Sequence, residues 1–430
     1  MTKNRNTHSN TSPDTSNRRV VITGMGLITP IGFNMEDTWA AFKAGKSGVV
    51  RITSLDASKY PCQIAGELKG FDPLNYIPAK KTRNMASSSQ FAVAAATEAL
   101  EDSHLDLDRI NRDDVAVILG HAGGMSVEET EKSIQQLASS RLGRLSPFQI
   151  LKGWPNTPSY FIAEKYQFRG YNSTVTTACA ASTQAIGDAM RLIRLGEFDV
   201  AVTGGAEYMV SEIALAGFCA MRALATNYND NPEKAMRPFD ADREGFVSAG
   251  GAGILILEEL EHALARDAHI YAEILGAGVS NDAYHMIIPD PEGIGAALAI
   301  RRCIEDAHLS IEDIDYINAH GTSTPVGDIA ETKAIKQVFG ERAYDIPISS
   351  TKSMIGHAMG ASGSIEAIAC ALTIRDEIIH PTINYDTPDP ECDLDYVPNQ
   401  AREARVDVAL SNSFGLGGQN ACLLIGRFEG

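Results

Sequence analysis

The chain has 430 residues and no two cysteines at metal-ligand or redox spacing. Its seven cysteines, Cys62, Cys179, Cys219, Cys303, Cys370, Cys392 and Cys422, are scattered and odd in number. That excludes a disulfide framework and a CxxC zinc site, and it points to a reducing compartment. No stretch approaches the ~18 consecutive apolar residues that span a bilayer, so no membrane segment is expected. Positive charge is scarce: 37 Lys and Arg stand against 55 Asp and Glu, a net charge of −18. Nucleic acid is therefore an unfavourable partner, because phosphate binding needs a basic surface. An acidic partner would need a local basic patch. The first 17 residues, MTKNRNTHSNTSPDTSN, hold no apolar run. They read as a disordered tail and not as a secretory signal. A soluble, cytoplasmic protein is expected.

What remains is ordinary globular composition, long enough for two domains or two fused halves. Strand-like runs alternate with helical patterns. RVVITGMGLITPIG (19–32), DDVAVILG (113–120), FDVAVTGGAE (198–207) and GAGILILEE (251–259) read as strands. Residues 87–103 carry apolar positions at helical spacing. After residue 265 the theme restarts. IYAEILGAGVS (270–280), DYINAHG (315–321), IPISSTK (346–352), VDVALSNS (406–413) and NACLLIGRF (420–428) read as strands, and 293–308 as a helix. Such alternation predicts α/β architecture with helices covering parallel or mixed sheets. Two passes of similar length suggest a duplication, with halves at 18–265 and 266–430, although no residue-level repeat is visible. Gly24 and Gly26 invite a dinucleotide-binding reading, but the third glycine of that fingerprint is missing.

The chemistry gathers in four small-residue segments. In TTACAAST (176–183), Cys179 taken alone would be a small buried hydrophobe. Its place between a strand-like run and a helical one argues otherwise, because a helix N-terminus stabilises a thiolate. His320 lies in NAHGTSTPVGD (318–328) and His357 in SSTKSMIGHAMGASG (349–363). Each follows a predicted strand, where the active-site loops of α/β proteins collect. SNSFGLGGQNA (411–421) carries Gly415, Gly417 and Gly418, which permit close backbone approach. Its amides are suited to one side of an oxyanion hole. The same segment could equally be only a tight turn between two strands.

Together with RPFDADREGFV (237–247) and SNDAYHM (280–286), these motifs resemble the β-ketoacyl-acyl-carrier-protein synthases of the condensing-enzyme, or thiolase-like, superfamily. The resemblance runs from Arg18 to Phe428 and is strongest to the elongating, synthase II type. It implies two duplicated βαβαβαββ halves forming a five-layered α-β-α-β-α core. It implies decarboxylative condensation of an acyl-enzyme with malonyl carrier protein in fatty acid elongation, without a metal or redox cofactor. By the same resemblance Cys179 is the acylated nucleophile, and His320 and His357 serve decarboxylation and condensation. Lys352 and Glu331 are expected to pair and organise the site. Thr322 and Thr324 are expected to hold the phosphopantetheine arm. Phe414 is the gate, its amide joining that of Cys179 in the oxyanion hole. The partners implied are an acyl carrier protein and a second copy of the chain. Carrier proteins are acidic, so Lys80, Lys81 and Arg83 in AKKTR, with Arg144 and Arg222, are the docking candidates.

The chain departs from the family pattern at several points. The gate has Leu416 where the family usually has phenylalanine, and Gln419 where it has threonine. Gly250 stands where an acid is usual. Gly123, in GHAGGMS, would open the acyl pocket if it replaces a bulky floor residue. These departures bear on acyl-chain choice and keep open a dissociated type II polyketide or specialised-lipid synthase with the same chemistry. A non-catalytic partner subunit of a ketosynthase heterodimer would lack the nucleophile that Cys179 supplies.

Overall fold

The computed structural model describes residues 18–123, 126–139 and 146–430. Arg144 lies outside the described residues. Ten strands carry the fold. Val20–Ile28 (β1), Val115–Gly120 (β2), Asn172–Val175 (β3), Val200–Tyr208 (β4) and Gly250–Glu259 (β5) come first. Ala272–Asn281 (β6), Tyr316–Asn318 (β7), Ile348–Ser349 (β8), Val408–Gly415 (β9) and Gln419–Gly426 (β10) follow. The principal helices are Ser87–Asp102 (α1), Thr157–Tyr166 (α2), Ala181–Arg194 (α3), Ile294–Asp306 (α4), Pro325–Phe339 (α5) and Ser362–Asp376 (α6).

The duplication that residue identities hide is plain in the topology. Across the sheet the first five strands run β3-β2-β4-β5-β1, and the next five run β8-β7-β9-β10-β6. Both sets therefore have the order 3-2-4-5-1. In each, strands 2, 3 and 4 are parallel, and strands 4, 5 and 1 pair antiparallel. A short antiparallel contact between β1 and β6 joins the halves. Each half reads βαβαβαββ.

Alternation along the strands builds the layers, because successive side chains point to opposite faces. Ala116 and Ile118 of β2 and Leu255 and Leu257 of β5 enter one core with Leu423 and Ile425 of β10. Helices α3 and α6 pack against each other there, between the two sets of strands. Val115, Val117, Ile254 and Ile256 face a second core under α1. Leu410, Cys422 and Leu424 face a third under α4. This is the thiolase-like five-layered arrangement, with α3 and α6 as the central layer. Helix α6 is buried from Ser362 to Ile374, so it has no polar stripe to reveal it as amphipathic.

Gly24 and Gly26 have a packing reason and no dinucleotide role. A Cβ at either would come within 2.2 Å and 2.1 Å of the Ala99 and Ala95 carbonyls of α1. Among the described residues no helix is long and apolar enough to cross a membrane.

Candidate active site

The two central helices begin alike. Ala178 adopts a left-handed backbone (φ 50°), and a 3₁₀ turn over Ala178–Ala180 runs into α3. Met359 does the same (φ 45°), and Met359–Ala361 runs into α6. A non-glycine residue in that region is uncommon and held by its surroundings. The first turn presents Cys179 at the head of α3. The second places His357 two residues before the 3₁₀ turn that leads into α6. The two turns thus bring Cys179 and His357 to one point from two sides of the central layer.

There, Cys179 Sγ lies 3.0 Å from His357 Nε2. Ser362 Oγ lies 3.0 Å from Nδ1 of the same ring and fixes its direction. Phe246 meets the ring edge-on at 5.5 Å, and His320 lies nearly perpendicular to it at 5.5 Å between centroids. Burial pushes the Cys179 thiol up to about 11, while the Leu416 amide, Lys352 and the Cys179 amide pull it down. A proton acceptor at 3.0 Å is what such a thiol needs to react. Burial, then Lys352, holds both histidines well below the usual imidazole range, and His357 lowers His320 further. Both rings are neutral at neutral pH, and each can offer one N–H and one lone pair.

The expected Lys352–Glu331 pair does not form. Lys352 is fully buried, and its Nζ bonds Glu366 Oε1 at 2.5 Å. Glu331 instead accepts from the His320 amide at 2.8 Å and the Gly321 amide at 2.7 Å, with Asn412 Nδ2 at 3.3 Å. It therefore braces the loop that carries His320. Glu366 was missed because it sits on α6, a helix with no exposed face to mark it. The one signal was an acid inside the small and apolar run SGSIEAIACAL (362–372). Burial raises the pKa of Glu331 and of Glu366 to about 7, against the pull of their bonding partners.

A cavity of about 240 Å³ opens onto Cys179, His320 and His357. Thr322, Thr324, Phe414, Leu416 and Arg222 also line it. The two threonine hydroxyls lie 3.1 Å apart. Phe414 is half-buried, with its ring 5.8 Å from His320. It sits opposite Asn420 in the β9–β10 hairpin, and the amide turned toward the sulfur is that of Leu416. Gly415 keeps that approach open. A Cβ there would lie 2.8 Å from Thr177 O and 3.2 Å from Cys179 N, covering the nucleophile's amide.

Other nominated residues are placed apart. Gly123 does not line this cavity, and its carbonyl lies 3.1 Å from His121 Nδ1. Gly250 packs on Tyr208, whose ring would be 2.6 Å from any Cβ, so this site has no room for an acid as it stands. Lys80, Lys81 and Arg83 are exposed on and beside the helical turn Ala79–Thr82, away from the cavity lining, and Lys81 bonds Glu164 at 2.6 Å.

One further residue organises the cavity wall. Arg243 is buried and donates to the carbonyls of Thr324 (3.2 Å), Pro325 (3.0 Å) and Asp240 (2.8 Å), and to Asp389 at 2.6 Å. Its guanidinium also lies 3.7 Å from Asp328, a buried carboxylate that accepts from the Phe239 amide. The threonine loop is thus clamped from below. The signal was the recurrence of Arg237, Asp240 and Arg243 at three-residue spacing.

Two family models match the chain: "Beta-ketoacyl synthase, N-terminal domain" over residues 17–263 and "Beta-ketoacyl synthase, C-terminal domain" over 271–386. A 3-oxoacyl-[acyl-carrier-protein] synthase 2 from Synechocystis sp. is 46% identical over 413 residues, 96% of this chain and 99% of its own. A beta-ketoacyl synthase structure from Burkholderia phymatum STM815 superposes with a TM-score of 0.89 at 37% identity, covering 96% of this chain and 100% of that one. A type II PKS acyl-carrier protein in complex with its ketosynthase bound to a hexaketide gives 0.88 at 34% identity, with the same coverage.

Proposed function

Because the chain belongs to the beta-ketoacyl synthase family, we propose that this cavity elongates acyl chains by decarboxylative condensation with malonyl carrier protein. The observation that carries the assignment of roles is the meeting of Cys179 Sγ, His357 Nε2 and His320 at the base of one cavity. In the first half-reaction Cys179 sulfur attacks the acyl thioester. Its proton passes to His357, and the carrier's thiol leaves protonated. Amides at the head of α3 and in the 414–416 turn stabilise the tetrahedral oxyanion, a contribution of about 3 kcal/mol per donor in a dry site. In the second half-reaction malonyl thioester loses CO2. The enolate oxygen takes hydrogen bonds from the neutral imidazoles of His320 and His357. The carbanion attacks acyl-Cys179, giving a 3-oxoacyl thioester and the Cys179 thiolate, which takes a proton from solvent to restore the thiol. Every bond is accounted for without a metal or an electron carrier.

The test is intact-protein mass after incubation with carrier proteins bearing acyl chains of different lengths, followed by malonyl carrier. An adduct discharged to a 3-oxoacyl product supports the reading. Absence of an adduct with every chain counts against it. The chain-length profile separates housekeeping fatty acid elongation from a polyketide or specialised-lipid role, which Leu416 in the cavity wall keeps in play.

Thr322 and Thr324 are assigned to the phosphopantetheine arm, with Arg243 as a positioning residue behind them. Arg243→Lys removes most of the fork of donors. Lost hydrogen bonds to a charged group are worth ~1.5–3 kcal/mol. Acylation by carrier-bound donors is expected to slow by roughly 10- to 100-fold. Alkylation of Cys179 by iodoacetamide, which has no arm to place, should keep its rate. Equal slowing of both would mark Arg243 as merely structural.

The partners we assign are an acyl carrier protein and a second copy of the chain, in the cytoplasm. Arg222 at the cavity mouth and Lys80, Lys81 and Arg83 beside it in charge are the docking candidates, with Arg144. Charge reversal at Lys80 and Lys81 is expected to raise KM for carrier-bound substrate and leave kcat unchanged. Unaltered kinetics on the carrier substrate would remove those two lysines from the docking surface. Among the described residues strand β3 ends the sheet with one edge unpaired, and Phe148, Ile150, Trp154, Tyr160 and Tyr171 are exposed on and near the segment leading to it. An exposed edge with apolar neighbours suits pairing with its own copy. Light scattering that gives a monomer mass at micromolar concentration would contradict the dimer.

A further inference from the structure

The same three side chains that suit acyl transfer also make a set of metal ligands. Cys179 Sγ and one ring nitrogen each of His320 and His357 lie within 4.8 Å of one another, and the Sγ to Nε2 edge is 3.0 Å. Zinc binds thiolate at about 2.3 Å and imidazole at about 2.0–2.1 Å, so a tetrahedral site needs edges of about 3.4–3.6 Å. No edge here has to change by more than about 1.4 Å to reach that geometry.

The donors are chemically ready. Each imidazole contributes one ring nitrogen to the set, and His357 Nε2 already faces the Cys179 sulfur. His320 is 92% buried, since only 8% of its surface is exposed. Its Nδ1 has no hydrogen-bond partner among the described residues. Ser362 orients His357 from behind, as outer partners orient metal-binding histidines. The cavity supplies the entry path. Two features limit affinity. Lys352 lies close enough to depress both imidazoles, although Glu366 balances its charge. His320 also lacks an outer partner to hold its ring.

We propose that free Zn²⁺ binds Cys179, His320 and His357 as a reversible inhibitory site, closed to the metal once Cys179 carries an acyl group. The exchange balances: the Cys179 thiol gives up its proton to solvent as the S–Zn bond forms. Nothing is oxidised or reduced. Binding needs the three side chains and no turnover, so it can be measured whatever acyl substrate the cavity takes.

The experiment uses the full chain, stripped with EDTA, and Zn²⁺ titrated against a chromophoric chelator. One zinc per chain is expected, with affinity falling by at least ~10- to 100-fold in Cys179→Ala. Saturating zinc should slow iodoacetamide alkylation of Cys179, and EDTA should restore it. Co²⁺ in place of zinc should give a sulfur-to-metal charge-transfer band in the near ultraviolet. Wild-type protein already alkylated at Cys179 serves as a second blocked form that needs no refolding. Binding that persists undiminished in both blocked forms would overturn the site. So would an unchanged alkylation rate in excess zinc, or no saturable binding at all.

Discussion

Cys179→Ala is expected to take up no acyl group from any carrier-bound donor, while the wild type gains the mass of one acyl chain. The variant should retain the fold. Cys179 is buried, and alanine removes a single sulfur at the head of a helix already flanked by Ala178, Ala180 and Ala181. The loss is chemical. Without the sulfur there is no covalent intermediate to divide the reaction into two steps. His320, His357 and Lys352 remain in place, so slow decarboxylation of malonyl carrier should persist as acetyl carrier and CO2. The readouts are adduct mass and the ratio of acetyl to 3-oxoacyl product. An equal adduct on the alanine variant would move the nucleophile elsewhere. Cys422 does not line the cavity; it lies within β10, where its Sγ donates to Asn412 Oδ1.

Lys352→Ala is expected to lower condensation by roughly 10²- to 10³-fold, the range found when one preorganised electrostatic group is removed. Lys352 touches no cavity atom directly. It acts as a fully buried cation that depresses both histidines and keeps Glu366 company. Breaking such a pair leaves an uncompensated buried carboxyl, a cost of ~3–5 kcal/mol in folding. The paired variant Lys352→Met with Glu366→Gln removes both charges and should recover much of that stability without recovering the rate. The pH profile separates electrostatics from unfolding. In the wild type the imidazoles are held well below 6.5, so a loss of rate as pH falls through 7 belongs to protonation of Glu331 and Glu366, which burial raises to about 7, and not to the rings. Burial, the larger cause, still holds them down in the variant, so removing the nearby cation raises their pKa values only part of the way. A new acid limb should then appear on the rate, because protonated rings displace the neutral ones the reaction uses. A profile identical to wild type would mean that Lys352 serves the fold alone.

Much of the site was legible because its chemistry is local in sequence. Cys179, His320 and His357 each stand in a run of small residues at a strand-to-helix junction, and such runs permit close packing around a reacting atom. Nine of the ten strands were legible because buried strands are continuous apolar runs. The four-residue edge strand β3 was visible only as the run leading into TTACAA. What stayed hidden was pairing. Lys352 lies 14 positions before Glu366 and 21 after Glu331, and nothing in the spacing prefers one acid. The choice follows from α6 crossing the central layer, which turns Glu366 toward Lys352 and leaves Glu331 under the His320 loop. Arg243 was hidden for the same reason: its acceptors are carbonyls some 80 residues away.

The sequence by itself determined the alternation of strands and helices, the small-residue settings of Cys179, His320 and His357, and, through the motifs around them, the family resemblance that implies the class of reaction. These depend on residue type and on neighbours a few positions away. Only the tertiary structure decided that the halves share the strand order 3-2-4-5-1, that Ala178 and Met359 open matching turns, and that Lys352 answers to Glu366. Those facts concern groups brought together by burial. In a low-dielectric interior the partner of a charge is set by which elements cross, and no local pattern records a crossing.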